Sequence, residues 1–103
     1  MEFAPAPGLD AALRDRIIAS ALTLAAEVNY LGIGTFEFLV EPDAGRHFFM
    51  EANPRVQVEH TVSEQVTGVD LVQTQIHLAA GASLVDLKLE TAPVCDGLSL
   101  IHI

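Results

Sequence analysis

Glu37, Glu51 and Asn53 are the residues from which chemistry can be argued first. The runs Thr35 to Val40 and His47 to Ala52 are rich in aromatic and branched side chains. Pro42-Asp43-Ala44-Gly45 between them is turn chemistry, so the two runs predict an antiparallel hairpin. Side chains alternate along a strand, which gives one face to Thr35, Glu37, Leu39 and Glu41 and one face of the partner to His47, Phe49, Glu51 and Asn53. A tight turn centred near Ala44 sets Glu37 opposite Glu51. Two carboxylates held together amid Phe36, Phe38, Phe48 and Phe49 repel each other and lose hydration unless a cation lies between them. Asn53, two residues beyond Glu51, adds a neutral oxygen, and the set suits Mg2+ or Mn2+ with nucleotide phosphates completing the shell. On spacing alone, a solvated sheet face is the favoured reading of the same two acids, and the metal site the minority one.

The elements that must position these residues are also legible. Asp10 offers an acceptor to the first turn of a helix expected from Ala11 to Val28, preceded by an extended, proline-containing stretch. Leu13, Ile17, Ala21, Leu24 and Val28 recur at three- and four-residue spacing and predict the packed stripe, with Arg14, Asp15 and Glu27 toward water. Gly32 and Gly34 end that pattern. Asn53-Pro54-Arg55 ends the second strand, a loop runs through Gln57 to His60, and short helices are expected over Val62 to Val66 and Val69 to Ala80. The fold class is therefore α+β: a helix packed on an antiparallel hairpin, followed by short helices.

Composition narrows the function classes. At 103 residues the chain fits one small domain or part of one, short for an enzyme that must enclose a nucleotide and a second substrate. Fourteen acidic against five basic residues, a formal charge of -9, repel phosphate backbones and anionic lipid surfaces, which argues against nucleic acid and membrane partners. The longest mostly apolar stretch, Ile17 to Val28, is too short to span a bilayer. Residues 1 to 10 lack the basic start of a secretory or transit peptide, and a single cysteine, Cys95, forms no internal disulfide. Both features suit a reducing, cytoplasmic setting. His47, His77 and Cys95 have no partner at diagnostic spacing, and His60 with Glu64 is too small a set for a metal site, so each reads as structural.

The segment Phe49-Met50-Glu51-Ala52-Asn53-Pro54-Arg55-Val56-Gln57-Val58-Glu59-His60-Thr61-Val62-Ser63-Glu64, followed by Thr67-Gly68-Val69-Asp70-Leu71-Val72, closely resembles the biotin carboxylase signature. The resemblance extends through Glu2 to Pro7 and Gly34 to Leu39 upstream and to Ala79-Ala80-Gly81 downstream, about residues 1 to 90. Details around Asn53-Pro54-Arg55 and Val72 to His77 look more like pyruvate carboxylase or long multidomain acyl-CoA carboxylases than like a stand-alone subunit.

That resemblance implies the C-terminal part of an ATP-grasp domain, with ATP and Mg2+ or Mn2+ as cofactors. It implies a ligase that phosphorylates bicarbonate to carboxyphosphate and carboxylates biotin on a carrier protein. The implied partners are the biotin carboxyl carrier and the carboxyltransferase component, in the cytoplasm or, in a eukaryote, the mitochondrial matrix. Glu37, Glu51 and Asn53 would hold the metal ions, with Glu37, Glu51 and Leu39 on the ATP side and Leu39 facing adenine. Arg55 would hold bicarbonate and stabilise developing negative charge, a task suited to a planar guanidinium. Glu59 would act as the base that deprotonates bicarbonate, which Gln57 and the Val58 backbone would help Arg55 to bind and orient.

The family's glycine-rich loop, its phosphate-clamping lysines and a later arginine find no match here, where Lys88 is the single lysine. The chain is therefore expected to be inactive alone. Residues 91 to 103 do not match the family. Leu98 to Ile103 can be encoded by a sequencing adapter, so this tail is expected to be foreign and without function. Two alternatives stand beside this reading: a non-catalytic module that binds metal or nucleotide or pairs with carboxylase subunits, and another ATP-grasp ligase. Gln57-Val58-Glu59-His60 argues against the latter.

Overall fold

The computed structural model describes residues 1–101. In chain order these are β1 (Glu2–Ala4), α1 (Ala11–Glu27), β2 (Thr35–Glu41), β3 (Arg46–Asn53), α2 (His60–Thr67), α3 (Leu71–Ala79) and β4 (Ser99–Ile101). Helix α1 starts where expected because the Asp10 carboxylate accepts the Leu13 backbone N–H at 3.0 Å. It ends one residue early, and Val28 stands beyond it as the cap, 67% exposed and not part of the packed stripe. Leu13 is fully buried at the other end of that stripe, and Ile17, Ala21 and Leu24 are half-buried.

β2 and β3 form the expected antiparallel hairpin. Its turn closes through the Gly45 N–H donating to the Pro42 carbonyl at 3.1 Å, with Gly45 in the left-handed region at φ 61°. Glu37 pairs directly with Glu51, as expected, but the next pair is Phe38 with Phe49, so Met50 is an extra residue that bulges β3, and without it Glu37 would face Met50. A one-residue insertion moves every following side chain to the other face. This corrects the expected faces: Phe49 and His47 lie with Phe36, Phe38 and Val40, while Glu51 and Asn53 share a face with Thr35, Glu37, Leu39 and Phe48. The rings agree, with Phe38 edge-on to both Phe49 and His47 at 5.7 Å between centroids. Of the four aromatic residues expected around the acids, Phe48 alone is on their face.

The connection into α2 and α3 is held by polar contacts. Glu64 on α2 accepts the Leu71 backbone N–H at 2.7 Å, and Asp70 caps α3 by accepting the Gln73 N–H at 2.7 Å. Past α3, the Ser83 hydroxyl and backbone N–H both donate to Asp86 and hold its carboxyl below the usual carboxylate range. A second small sheet, absent from the sequence reading, pairs β1 with β4 in antiparallel register from Glu2 with Ile101 to Ala4 with Ser99. Helix α2 lies against it, and Val62 and Val66 are its buried residues.

The core is small: Leu13, Val62 and Val66 are the buried hydrophobic residues among those described. The accessible surface is 7298 Å², against about 5,600 Å² for a typical monomer of 11.0 kDa. Much of the excess is apolar, including Leu22 and Leu31, 66% and 91% exposed. Leu13→Ala should cost ~2–5 kcal/mol, enough to abolish the cooperative thermal transition of so small a core. Leu22→Gln should stay within about 0.5 kcal/mol of the parent. Circular dichroism melts of the two variants check this, and equal losses would mean the core lies elsewhere.

Candidate functional site

The hairpin face that carries the acids is organised around one amide. Asn53 Nδ2 donates to Glu37 Oε1 at 2.9 Å and to Glu51 Oε1 at 2.8 Å, so both of its hydrogens are spent on carboxylates. Gln57, in the loop after β3, donates from Nε2 to the same Glu37 oxygen at 3.1 Å. Glu37 is half-buried, Glu51 is exposed and Asn53 is half-buried. The backbone reason is the direct Glu37–Glu51 pairing and the adjacent Thr35–Asn53 pair, which bring residues 37, 51 and 53 to one end of one face.

No cationic side chain neutralises this pair among the described residues. The ion pairs found there are Arg14 with Asp15 at 3.1 Å and Arg46 with Glu41 at 2.6 Å. Amide hydrogens alone face the two carboxylates, a partial positive charge where a full one would be stabilised more strongly. The donors fit a hard divalent ion: two carboxylates, plus an asparagine whose Oδ1 and Nδ2 are nearly isosteric, so its position can offer oxygen as readily as N–H. No cluster of three or more His, Cys, Asp or Glu residues suited to a metal occurs among the described residues, and beside the two carboxylates it is the Asn53 amide that stands within reach.

The other sequence candidates lie at varying remove. Leu39 is 59% exposed on the acid face and pairs across the strand with Phe48, giving an apolar strip continuous with the carboxylates. Arg55 is exposed, and its Nη2 reaches Asn53 Oδ1 only at 3.5 Å. Val58 is 65% exposed. Glu59 is half-buried at the N-cap of α2, makes no capping bond, and lines a cleft of ≈ 530 Å³ together with Gln57 and His60. Gln57 Oε1 is buried without a partner beside that cleft. The structure thus joins Glu37, Glu51, Asn53 and Gln57 in one network, with Arg55 at its edge and Glu59 outside it.

Two further residues, Gly34 and Tyr30, support the face, and neither is among the candidate site residues of the sequence. A Cβ on Gly34 would run into the Tyr30 hydroxyl and meet the Asn53 carbonyl at 3.2 Å. Tyr30 is fixed in turn by donating to the Ile33 carbonyl at 2.9 Å and by an edge contact with Phe36. Close backbone approach, which only glycine permits, is the signal that could have identified Gly34.

The sequence model of the family described as "Carbamoyl-phosphate synthase L chain, ATP binding domain" matches residues 1–87. Pyruvate carboxylase 1 of Caenorhabditis elegans is 56% identical over 89 residues, 86% of this chain and 8% of the relative. The mitochondrial pyruvate carboxylase of Homo sapiens is 53% identical over the same length, again 8% of the relative. Among solved structures, the biotin carboxylase domain of a single-chain bacterial carboxylase superposes with a TM-score of 0.82 at 56% identity, covering 88% of this chain and 21% of that one. The pyruvate carboxylase of Rhizobium etli superposes at 0.85 with 42% identity, covering 93% and 9%. The chain therefore spans less than a tenth of the pyruvate carboxylases it matches and about a fifth of the biotin carboxylase domain.

Asn53→Asp would place a third carboxylate where the bridging amide now donates. In a chelator its melting temperature should fall by ~5 °C or more, and saturating Mn2+ should close most of the gap to the parent. Melts followed by circular dichroism with and without Mn2+ decide this. An unchanged transition in chelator would show that the two acids do not share charge through residue 53.

Proposed function

Because this chain belongs to the carbamoyl-phosphate synthase L chain ATP-binding domain family, as a biotin carboxylase segment of the biotin-dependent carboxylases, we infer that its hairpin is the metal and nucleotide edge of an ATP-dependent ligase. The observation that carries this reading is the Asn53 amide bridging Glu37 and Glu51 at 2.9 and 2.8 Å.

In this reading Glu37, Glu51 and Asn53 hold Mg2+ or Mn2+, which when bound would neutralise both the carboxylate pair and the phosphates of ATP. Gln57 keeps Glu37 turned toward Glu51, since its N–H is already committed to the Glu37 oxygen. Leu39 and Phe48 offer an apolar strip for the adenine edge. Arg55, exposed at the start of the loop, supplies the planar guanidinium for bicarbonate and for the negative charge that develops on it. Glu59, beside Gln57 in the cleft, takes the bicarbonate proton, and Gln57 and the Val58 backbone help Arg55 to bind bicarbonate. The products are carboxyphosphate and then carboxybiotin on a carrier domain, with a carboxyltransferase component as the next partner.

This segment works inside a larger assembly. An acidic pair of this kind lacks cationic groups to hold triphosphate, and the excess apolar surface is what a piece of a bigger domain exposes. Residues 1–90 are read as the C-terminal part of the ATP-grasp domain. Among the described residues no helix is long and apolar enough to cross a membrane. The cytoplasm or mitochondrial matrix is the proposed setting, in keeping with the name of the human relative.

Calorimetric titration of the folded chain with Mn2+, with and without ATP, tests the reading. Saturable binding should be weakened about tenfold or more by either Glu37→Gln or Glu51→Gln. Binding that both variants retain would remove the hairpin from the metal site.

A further inference from the structure

We propose that Arg16 and Ser20 of α1 are positioning residues that hold β3, through Gly45 and His47, in the strand register from which Glu51 comes to face Glu37. The inference rests on the metal reading above for its functional meaning, and on geometry for its content. Arg16 and Ser20 are four apart and so lie on one helix face. Arg16 Nη2 donates to the Gly45 carbonyl at 2.6 Å, at the end of the hairpin turn. Ser20 Oγ donates to the Arg16 carbonyl at 3.0 Å and lies 2.9 Å from His47 Nε2. The serine hydroxyl has one proton and it is committed to the helix, so His47 must be the donor and its hydrogen sits on Nε2.

The two links span 29 and 27 residues of chain and converge on three consecutive hairpin residues, 45 to 47. Those residues enter β3 directly ahead of the Met50 bulge. If β3 slipped by one residue, His47 would leave Ser20 for the opposite face and Glu51 would exchange faces with it. Ser20 therefore discriminates against a whole-strand slip of β3, while the Met50 bulge, three residues beyond His47, sets the face of Glu51 and Asn53 within that register. The contact is half-buried and flanked by Leu24, Phe38 and Phe49, which limits competition from water.

The test uses Ser20→Ala, His47→Phe, the double variant and His47→Gln, whose amide N–H can stand in for Nε2–H. Leu24→Ala is the control that thins the same contact without touching the bonded pair. Hydrogen exchange of residues 48–53 and the Mn2+ dissociation constant are read for each. Ser20→Ala and His47→Phe should each speed exchange of the Glu51–Asn53 amides and weaken Mn2+ about fivefold. The double variant should be no worse than either single one, and His47→Gln should recover both readouts. Leu24→Ala should lower the melting temperature and leave Mn2+ affinity within about twofold of the parent. Exchange confined to α1 and residues 45–48, or additive effects in the double variant, would overturn the positioning role. A parent chain that binds no Mn2+ would instead overturn the metal reading, and the exchange data would still decide on Ser20 and His47.

Discussion

Two like charges on directly paired residues of one hairpin set the terms for everything around them. At the separation of cross-strand neighbours, roughly 5 Å, two carboxylates repel by between ~1 and ~3 kcal/mol, depending on how much water intervenes. Glu37 and Glu51 occupy such a pair, and three amide hydrogens from Asn53 and Gln57 are directed at them. That arrangement tolerates the repulsion without abolishing it. A site built this way stays receptive to a cation, whereas an arginine in the same place would have satisfied the acids permanently.

The Met50 bulge keeps this polar arrangement separate from the packing that supports it. By displacing the alternation once, it sends Phe49 and His47 to the helix side and leaves Glu51 and Asn53 on the other. One face can then be aromatic and bonded to α1 while the other remains charged. A regular strand would have put Glu51 and Asn53 on the face of His47 and Phe49, burying them against rings and separating Glu51 from Glu37.

Much of this was legible in the residues, and the exceptions have physical causes. The helix start followed from Asp10 and the hairpin from Pro42 to Gly45; a turn centred near Ala44 set Glu37 opposite Glu51, a pairing that the structure reaches only through the Met50 bulge, since regular pairing from Glu41 with Arg46 would oppose Glu37 with Met50. The bulge left no mark, because Phe48-Phe49-Met50-Glu51 contains neither glycine nor proline and every residue suits a strand. The β1–β4 pairing escaped for a different reason: three-residue strands at opposite ends of the chain have too few side chains to show alternation. Arg55 and Glu59 had no distinguishing spacing of their own and entered through the likeness of the whole segment to biotin carboxylases. The links from Arg16 and Ser20 depend on tertiary proximity, which local patterns do not encode.

The order in which these parts come together follows from their separations along the chain. Glu37, Glu51, Asn53 and Gln57 all fall within about twenty residues, so the loop that must close before they meet is short and cheap in entropy. Hairpins of this size form in about 1–10 μs, but a two-stranded ribbon alone is only marginally stable in water. Helix α1, made just before the hairpin in the chain and reaching it through Arg16 and Ser20, is available to trap it at once. The β1–β4 pairing joins residues nearly a hundred positions apart, so its loop-closure cost is the larger one. During synthesis, then, the acidic pair is a nascent structure, assembled from residues that leave the ribosome almost together.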